Sequence, residues 1–409
     1  LADVDVPDEA AREAIGTTVV IKLNGGLGTS MGMDRAKSLL EVREGLSFLD
    51  VIARQVLALR KEHGVRLPLI FMNSFRTSAD AMAALAPYAD LAVDGLPLEF
   101  LQNKEPKLRV DDLTPVSWEK EPDLEWCPPG HGDIYTALRG TGLLQQLIDA
   151  GYKQVFVSNS DNLGAVPDAR VAGWFARSGA PFAIEAVRRT PSDRKGGHFA
   201  VRKDDGRIVL RETAQTLDED KEALADLTRH KFMSTNNLWF NLEAMREELD
   251  RRDGVLGLAM IKNTKTVDPA DPGSPEVIQI ETAMGAAIEV FDGATTIEVG
   301  RDRFVPVKTT NDLLVVRSDA YELTPDGEEW LRVKGNAFWQ GLGDNVHIGE
   351  LDGRAAPDGG VLKYSDGDDE YDCKATMRLL GYFLVVADNN YCGGVNVSFS
   401  GIYRRVPIK

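Results

Sequence analysis

The residues best suited to chemistry in this chain gather around a glycine cluster. The run Val19-Val20-Ile21-Lys22-Leu23 is largely β-branched and apolar, and it leads into Asn24-Gly25-Gly26-Leu27-Gly28-Thr29-Ser30-Met31-Gly32. A strand feeding a glycine-rich turn presents backbone N–H groups in a concave array that suits an anion, and glycine lets the chain approach phosphate closely. Neither common phosphate template is met. Met31 stands where GxGxxG needs a glycine, and Met31 and Ala36 stand where GxxxxGK[ST] needs two before Lys37 and Ser38. The loop by itself fits an ordinary turn as well as a phosphate cradle. Lys37 adds a cation able to fold back onto the same phosphates; an exposed lysine at a helix start is the alternative.

Asp161, in Val157-Ser158-Asn159-Ser160-Asp161-Asn162, follows a short apolar strand. Ligands of open α/β sheets bind beyond the carboxyl ends of strands, so a carboxylate here faces the expected crevice. A hard oxygen donor beside phosphates is what Mg²⁺ requires; capping of the next turn is the other reading. Cys127-Pro128-Pro129-Gly130-His131-Gly132-Asp133 is a rigid turn whose glycines expose backbone groups to a flat ligand edge, with His131 between them. His63, His230 and His347 are scattered without zinc spacing and read as structural. Lys195-Gly196-Gly197-His198 offers a cation and a flexible backbone, and Thr235-Asn236-Asn237-Leu238-Trp239 offers amides for hydroxyl groups or for a turn. Glu281 sits in the apolar stretch Val277–Ala283, where a carboxylate must be paired or working. Arg303 and Lys308 each suit a second phosphate clamp.

The elements that would position these groups alternate. Residues 1–16 read as a helix, Thr17–Leu23 as a strand, Phe48–Lys61 as a helix, Leu67–Met72 as a strand and Ala79–Leu85 as a helix. A helical stretch Leu138–Ala150 then precedes the strand Val155–Ser158. That order implies parallel βαβ units in a doubly wound α/β sheet. From about Pro181 the runs Phe182–Arg188, His198–Arg202 and Arg207–Leu210 look antiparallel, as an inserted or appended sheet, with helices at Asp218–Arg229 and Glu243–Arg251. Residues 324–409 hold 13 of the 38 glycines, with strand-like runs at Leu379–Ala387 and Val395–Phe399, which predicts a turn-dense β region beyond a boundary near Leu323. The expected division is therefore a helical segment 1–16, a catalytic domain 17–323 and a β-rich region 324–409.

Composition narrows the partners. A formal charge of −17 over 409 residues argues against a nucleic-acid polymer or an anionic membrane, yet one local basic cluster would still hold a small phosphorylated ligand. Three cysteines without CxxC or finger spacing predict no disulfide framework and no structural zinc, and so a reducing, cytoplasmic setting. No apolar run approaches the roughly 20 residues of a membrane span, and the acidic opening lacks the basic stretch of a signal peptide.

Taken together, the segments LNGGLGTSMG with AKS, LQNKEPKLR, PPGHGDIY, SNSDNLGA, KGGHFA, TNNLW, NTKTVDP, VIQIETAMGAAIEVF and RFVPVKTTNDLL resemble the eukaryotic-type UTP–glucose-1-phosphate uridylyltransferases, in family order over about residues 17–318. The resemblance implies a GT-A-like (Rossmann-like) nucleotidyltransferase core with a mixed sheet. By matching position it puts Leu23, Asn24, Gly25, Gly26 and Lys37 in the nucleotide loop, Gln102, Gly130 and His131 at the uracil and nucleotide, and Mg²⁺ on Asp161. It puts Gly197, Glu212, Asn236, Asn237 and Glu281 around the sugar, and Lys308 on the phosphates. Ser234 and His198 depart from the family pattern, and after Leu323 only Asn345–Glu350 resembles the hexapeptide repeats with which relatives usually end.

The reaction so implied is UTP plus glucose 1-phosphate giving UDP-glucose and pyrophosphate, with Lys37 and Lys308 as the catalytic cations. A uridylyltransferase for galactose 1-phosphate or an N-acetylhexosamine 1-phosphate shares these features, as does a sugar-nucleotide binder without turnover. Retention of Lys37, Asp161 and Lys308 speaks against the last. A nicotinamide dehydrogenase is disfavoured because Asp50 lies at a helix start, not at the end of a second strand.

Overall fold

The computed structural model describes residues 1–28, 31, 33, 35–43, 45–190, 193, 196–212, 216–310, 312–313, 321–323, 329–340, 346–355, 357–358, 361–380, 383–393 and 397–404. Thr29, Ser30 and Gly32 of the glycine loop, Lys195, and Asn345 of the hexad lie outside them. The chain divides into two compact units, Leu1–Thr309 and Thr310–Lys409. The division falls before the boundary expected near Leu323.

The first unit is built on a nine-stranded mixed sheet. Its strands are β1 (Thr18–Asn24), β2 (Leu69–Asn73), β3 (Glu99–Leu101), β4 (Gln154–Asn159), β5 (Phe182–Arg188), β6 (His198–Val201), β7 (Ile208–Arg211), β8 (Phe232–Asn241) and β9 (Thr295–Glu298). The order is β7-β6-β8-β4-β1-β2-β3, with β5 on the other edge of β8 and β9 beside β5. β1 runs parallel to β2 and β4, and β2 to β3, so Asn24, Asn73, Leu101 and Asn159 all end at one edge of the sheet. β8 pairs antiparallel with β4, β5 and β6. The antiparallel strands after Pro181 are thus not a separate sheet. They continue the parallel one, because the ten-residue β8 is long enough to serve several partners.

Alternation along the strands divides the core. Val19 and Ile21 face one cluster with α3 (Ile134–Gly140), α4 (Leu143–Asp149) and α6 (Leu242–Arg251), whereas Val20 faces another with α1 (Asp8–Gly16), α2 (Phe48–His63) and α5 (Ala169–Ser178). Helices on both faces explain why these strands are continuously apolar. α2 shows how firmly such an element is set. Ser47 and Asp50 form a reciprocal capping box, Gly64 closes the helix in the left-handed conformation, and Phe48, Leu49, Ile52 and Val56 are buried. Each large apolar side chain so buried contributes about 1.5–3 kcal/mol.

Two helical expectations are corrected. The stretch Leu138–Ala150 is two helices parted at Thr141-Gly142, where Gly142 has φ +76°. Asp218–Arg229 holds a 3-10 turn and only the short helix Lys221–Ala225, because Asp226 Oδ1 accepts from Thr228 N and Thr228 Oγ1 and turns the chain.

The second unit is β-rich, as expected. Tyr321–Leu323, Glu329–Gln340 and Val346–Ala355 form one antiparallel sheet; Pro357–Asp358, Val361–Ser365, Lys374–Leu380, Phe383–Asp388 and Gly401–Arg404 form another. The run Leu379–Ala387 is two strands of a hairpin, not one. That hairpin also overturns the cysteine expectation: Cys373, just before it, and Cys392, just after it, are joined in a disulfide. Their separation of 19 residues has no local motif, because the chain's return brings them together. No helix among the described residues is long and apolar enough to cross a membrane.

Candidate active site

The carboxyl edge of β1, β2, β3 and β4 opens into a cleft of about 810 Å³. Leu23, Asn24, Gly25, Gly26, Lys37, Gln102, Gly130, His131, Asp161 and Glu281 all line it, so most of the residues singled out from the sequence meet at one place. Arg76, Lys107, Trp126 and Lys265 line it too and were not foreseen. Arg76, Lys107 and Lys265, with Lys37, give the cleft cationic character inside a strongly acidic chain.

Each wall has a local cause. Asn24 Nδ2 donates to Asn73 Oδ1 at 2.8 Å and Asn73 Nδ2 to Glu99 Oε2 at 2.7 Å, tying the ends of β1, β2 and β3 together. Gln102 N donates to Asn73 O, which places the buried Gln102 side chain against Gly25. A β-carbon at position 25 would overlap Gln102 Nε2, so that glycine is required by close approach. The Pro128–Asp133 turn is held from two sides. Asp133 accepts from Asn103 N at 2.6 Å and Asn103 Nδ2 at 2.8 Å, and Thr282 N donates to Pro129 O at 2.9 Å. Gly130 has φ +82°, and a β-carbon there would lie 2.7 Å from Thr282 O.

His131 Nδ1 accepts from Met284 N at 3.0 Å, and burial pushes the imidazole pKa down to about 4. His131 is therefore neutral at pH 7 with its proton on Nε2, which makes that edge a donor. The far wall is a three-stranded sheet of Leu108–Arg109, Met260–Thr266 and Glu276–Thr282, which carries Glu281 opposite Ile261 and 3.8 Å from Lys265 Nζ.

Lys37 Nζ meets Asp161 Oδ2 at 2.7 Å across the mouth of the glycine loop, and Asp161 Oδ1 is buried with no hydrogen-bond partner among the described residues. Behind them Lys22, fully buried, donates to Ser158 Oγ at 2.8 Å and Ala165 O at 2.7 Å. Burial first, and then the Arg303 charge, bring its pKa down to about 7.

Of the residues expected at the sugar, Glu281 lines this cleft, while Gly197, Glu212, Asn236 and Asn237 are placed differently. A β-carbon on Gly197 would come within 2.7 Å of Glu212 Oε1. The Glu212 carboxyl is raised by burial, an effect that Lys308 opposes. Asn236, at φ +60°, donates to Asn159 Oδ1 at 3.0 Å, and Asn159 lines the cleft. Asn237 is fully buried and donates to Glu185 Oε2 at 3.0 Å. Arg303, considered above as a phosphate clamp, is not one. It is buried, with Nε 2.8 Å from Glu185 Oε2 and Nη2 2.6 Å from Glu185 Oε1. A guanidinium committed to both oxygens of a buried carboxylate has no fork left for a ligand. Glu185 and Lys22 could have been noticed by the signal that exposed Glu281, a charge inside an apolar strand.

The mixed α/β sheet is a nucleotidyltransferase fold, shared with solved UDP-glucose pyrophosphorylases, and its glycine loop and cationic cleft lie at the carboxyl edge. The family model described as UTP–glucose-1-phosphate uridylyltransferase matches residues 2–334. The uridylyltransferase of Solanum tuberosum is 39% identical over 80% of this chain and 66% of its own length; that of Saccharomyces cerevisiae is 40% identical over 74% and 60%. Among solved structures, the UDP-glucose phosphorylase of Trypanosoma brucei superposes with a TM-score of 0.72 at 44% identity, covering 80% of this chain and 69% of that one. The G45Y mutant of the Leishmania major UDP-glucose pyrophosphorylase, in complex with UDP-glucose, gives 0.71 at 46%, covering 80% and 70%. This chain belongs to the UTP–glucose-1-phosphate uridylyltransferase family. Its match spans less than two thirds of the length of these curated relatives.

Proposed function

We propose that this chain transfers a uridylyl group from UTP to α-D-glucose 1-phosphate, giving UDP-glucose and pyrophosphate reversibly. One observation carries the reading: a single cleft joins the amide of Gln102 and the neutral imidazole of His131, beside the glycine loop, to the Lys37–Asp161 pair. A nucleoside triphosphate has the matching order, a flat base edge followed by phosphates. Gln102 and His131 would meet the uracil edge at Gly130, with Leu23, Asn24, Gly25 and Gly26 along the nucleotide. Lys37 would exchange its carboxylate partner for phosphate oxygens.

One oxygen of the sugar phosphate attacks the α-phosphorus of UTP in line, and the bond to pyrophosphate breaks. The attacking oxygen is already an anion, so no protein nucleophile or base is needed. Catalysis is then alignment and charge neutralisation. Lys308 would neutralise charge at the reacting phosphates, while Glu281, Glu212, Asn236 and the Gly197 backbone would line the sugar, with Asn237 supporting them from the Glu185–Arg303 pair. The donor set also fits magnesium, which takes one or two carboxylates and completes its shell with water and phosphate oxygens. Asp161 Oδ1, without a hydrogen-bond partner among the described residues, would hold it, and the ion when bound would offset charge on the triphosphate and the departing pyrophosphate.

Pyrophosphate release measured across a panel of sugar 1-phosphates and nucleoside triphosphates tests the reading. Highest kcat/KM with UTP and glucose 1-phosphate is expected. A preference for galactose 1-phosphate or N-acetylglucosamine 1-phosphate would move the assignment to a different uridylyltransferase, and nucleotide binding without turnover would make the chain a binder. We also propose a cytoplasmic location, on the ground that UTP is an intracellular metabolite; the Cys373–Cys392 disulfide is the observation against it. Cell fractionation decides.

A further inference from the structure

We propose that Asn162 is a positioning residue that holds the Asp161 loop and the Lys308 segment in one register, an inference that rests on the uridylyltransferase reading above. Asp161 follows β4, and Lys308 follows the 3-10 turn Arg301–Arg303, so the two come from distant parts of the chain. Asn162, 2% exposed, joins them with both ends of one amide. Its Nδ2 donates to Arg303 O at 3.0 Å, and its Oδ1 accepts from Val305 N at 2.9 Å.

The side chain therefore does for residues 303 and 305 what a neighbouring strand's backbone would do. It offers a donor and an acceptor at fixed spacing to a carbonyl at the end of the 3-10 turn and an N–H two residues on. The main chain extends the join, since Asn162 and Pro306 form an isolated antiparallel bridge and Val307 N donates to Asp161 O at 3.0 Å. Arg303 Nη1 donates to Val166 O at 2.8 Å and ties the far end of the same loop. Lys308 thus leaves the chain one residue beyond a bond to Asp161 itself.

Leucine would fill the space with neither group, and aspartate would keep the acceptor while setting a carboxylate against Arg303 O. A reaction without a protein nucleophile depends on where its charges stand, and a misplacement of about 1 Å can lower the rate by about 100-fold. Asn162 touches no substrate in this scheme; it acts by placing Lys308 relative to Asp161.

The test is a double-mutant cycle on the full chain. Asn162→Ala and Asn162→Ser are each made alone and with Lys308→Ala. For every variant, kcat and KM for UTP are measured with glucose 1-phosphate, together with UDP-glucose affinity by calorimetry and Tm. The expected loss in kcat for Asn162→Ala is about 30-fold or more in the wild-type background and less than about threefold in the Lys308→Ala background, with KM and UDP-glucose affinity moving less than about threefold. The serine variant, which keeps a hydroxyl for Val305 N, should fall between alanine and wild type.

Equal losses in both backgrounds would overturn the proposal, as would a loss confined to KM. Unfolding of both variants below the assay temperature would overturn it too, because Asn162 would then be structural only. A wild-type chain that releases no pyrophosphate sinks the uridylyltransferase reading itself, whereas an active wild type with an additive cycle sinks this inference alone.

Discussion

Lys37 and Asp161, 124 residues apart, meet as an ion pair with Nζ 2.7 Å from Oδ2, each partly exposed at the mouth of the cleft. The pair is poised for exchange. An ammonium can leave a carboxylate for a triphosphate of higher charge, and the released carboxylate is then free for a cation. Exposed ion pairs contribute about 0–1 kcal/mol to stability, and under the proposed function this part-buried pair acts chiefly in binding.

Replacement of Gly25 by alanine should displace the Gln102 amide, since a β-carbon there occupies the position of Nε2. KM for UTP is expected to rise about tenfold with Tm little changed. Added to Gln102→Ala, the same substitution should have almost no further effect on KM, because the group it displaces is already gone. Steady-state kinetics on the three variants check this, and additive losses would show that Gly25 matters for another reason.

Acid should destabilise the fold through two histidines. Burial lowers the pKa of His131 to about 4, and burial together with the neighbouring His230 lowers that of His198 to about 4. Both folded values lie below the ordinary histidine value of 6.5, so the unfolded chain binds more protons between those limits. Their contribution is fully present above pH 6.5 and is lost as pH falls through about 4. Tm should therefore decline over that window, and less steeply in His198→Leu, which removes a ring whose two nitrogens have no partner among the described residues. Since His131 remains neutral at pH 6–8, KM for UTP should show no inflection from it there, and steady-state kinetics across that range check this.

Breaking the Glu185–Arg303 pair from one side should be severe. Arg303→Met leaves a fully buried carboxylate without its guanidinium and is expected to lower stability by about 3–5 kcal/mol in urea unfolding. Pairing it with Glu185→Leu should recover much of that loss, although Asn237 and Trp239, which also bond to Glu185, would then lose an acceptor.

Much of the site was legible because its parts lie at predictable points of a parallel sheet. The glycine loop after β1 and Asp161 after β4 had to share an edge once those strands ran parallel and adjacent. Gln102 and the Gly130–His131 turn joined them through the resemblance to a family, not through spacing. Arg303 was misread because the Glu185–Arg303 pairing depends on where the turn after β9 crosses β5, which local patterns do not encode. The single sheet running through β8 and the Cys373–Cys392 bond were hidden for the same reason: each depends on a chain reversal that only tertiary packing decides.

The most direct measurement is magnesium-dependent pyrophosphate release from UTP and glucose 1-phosphate, by the chain and by its Asp161→Asn variant, which keeps the shape and removes the charge. Release by the chain is predicted, with kcat/KM at least about 100-fold lower in the variant. Undiminished release by Asp161→Asn would contradict the assignment of this carboxylate, and no release by the chain itself would contradict uridylyl transfer.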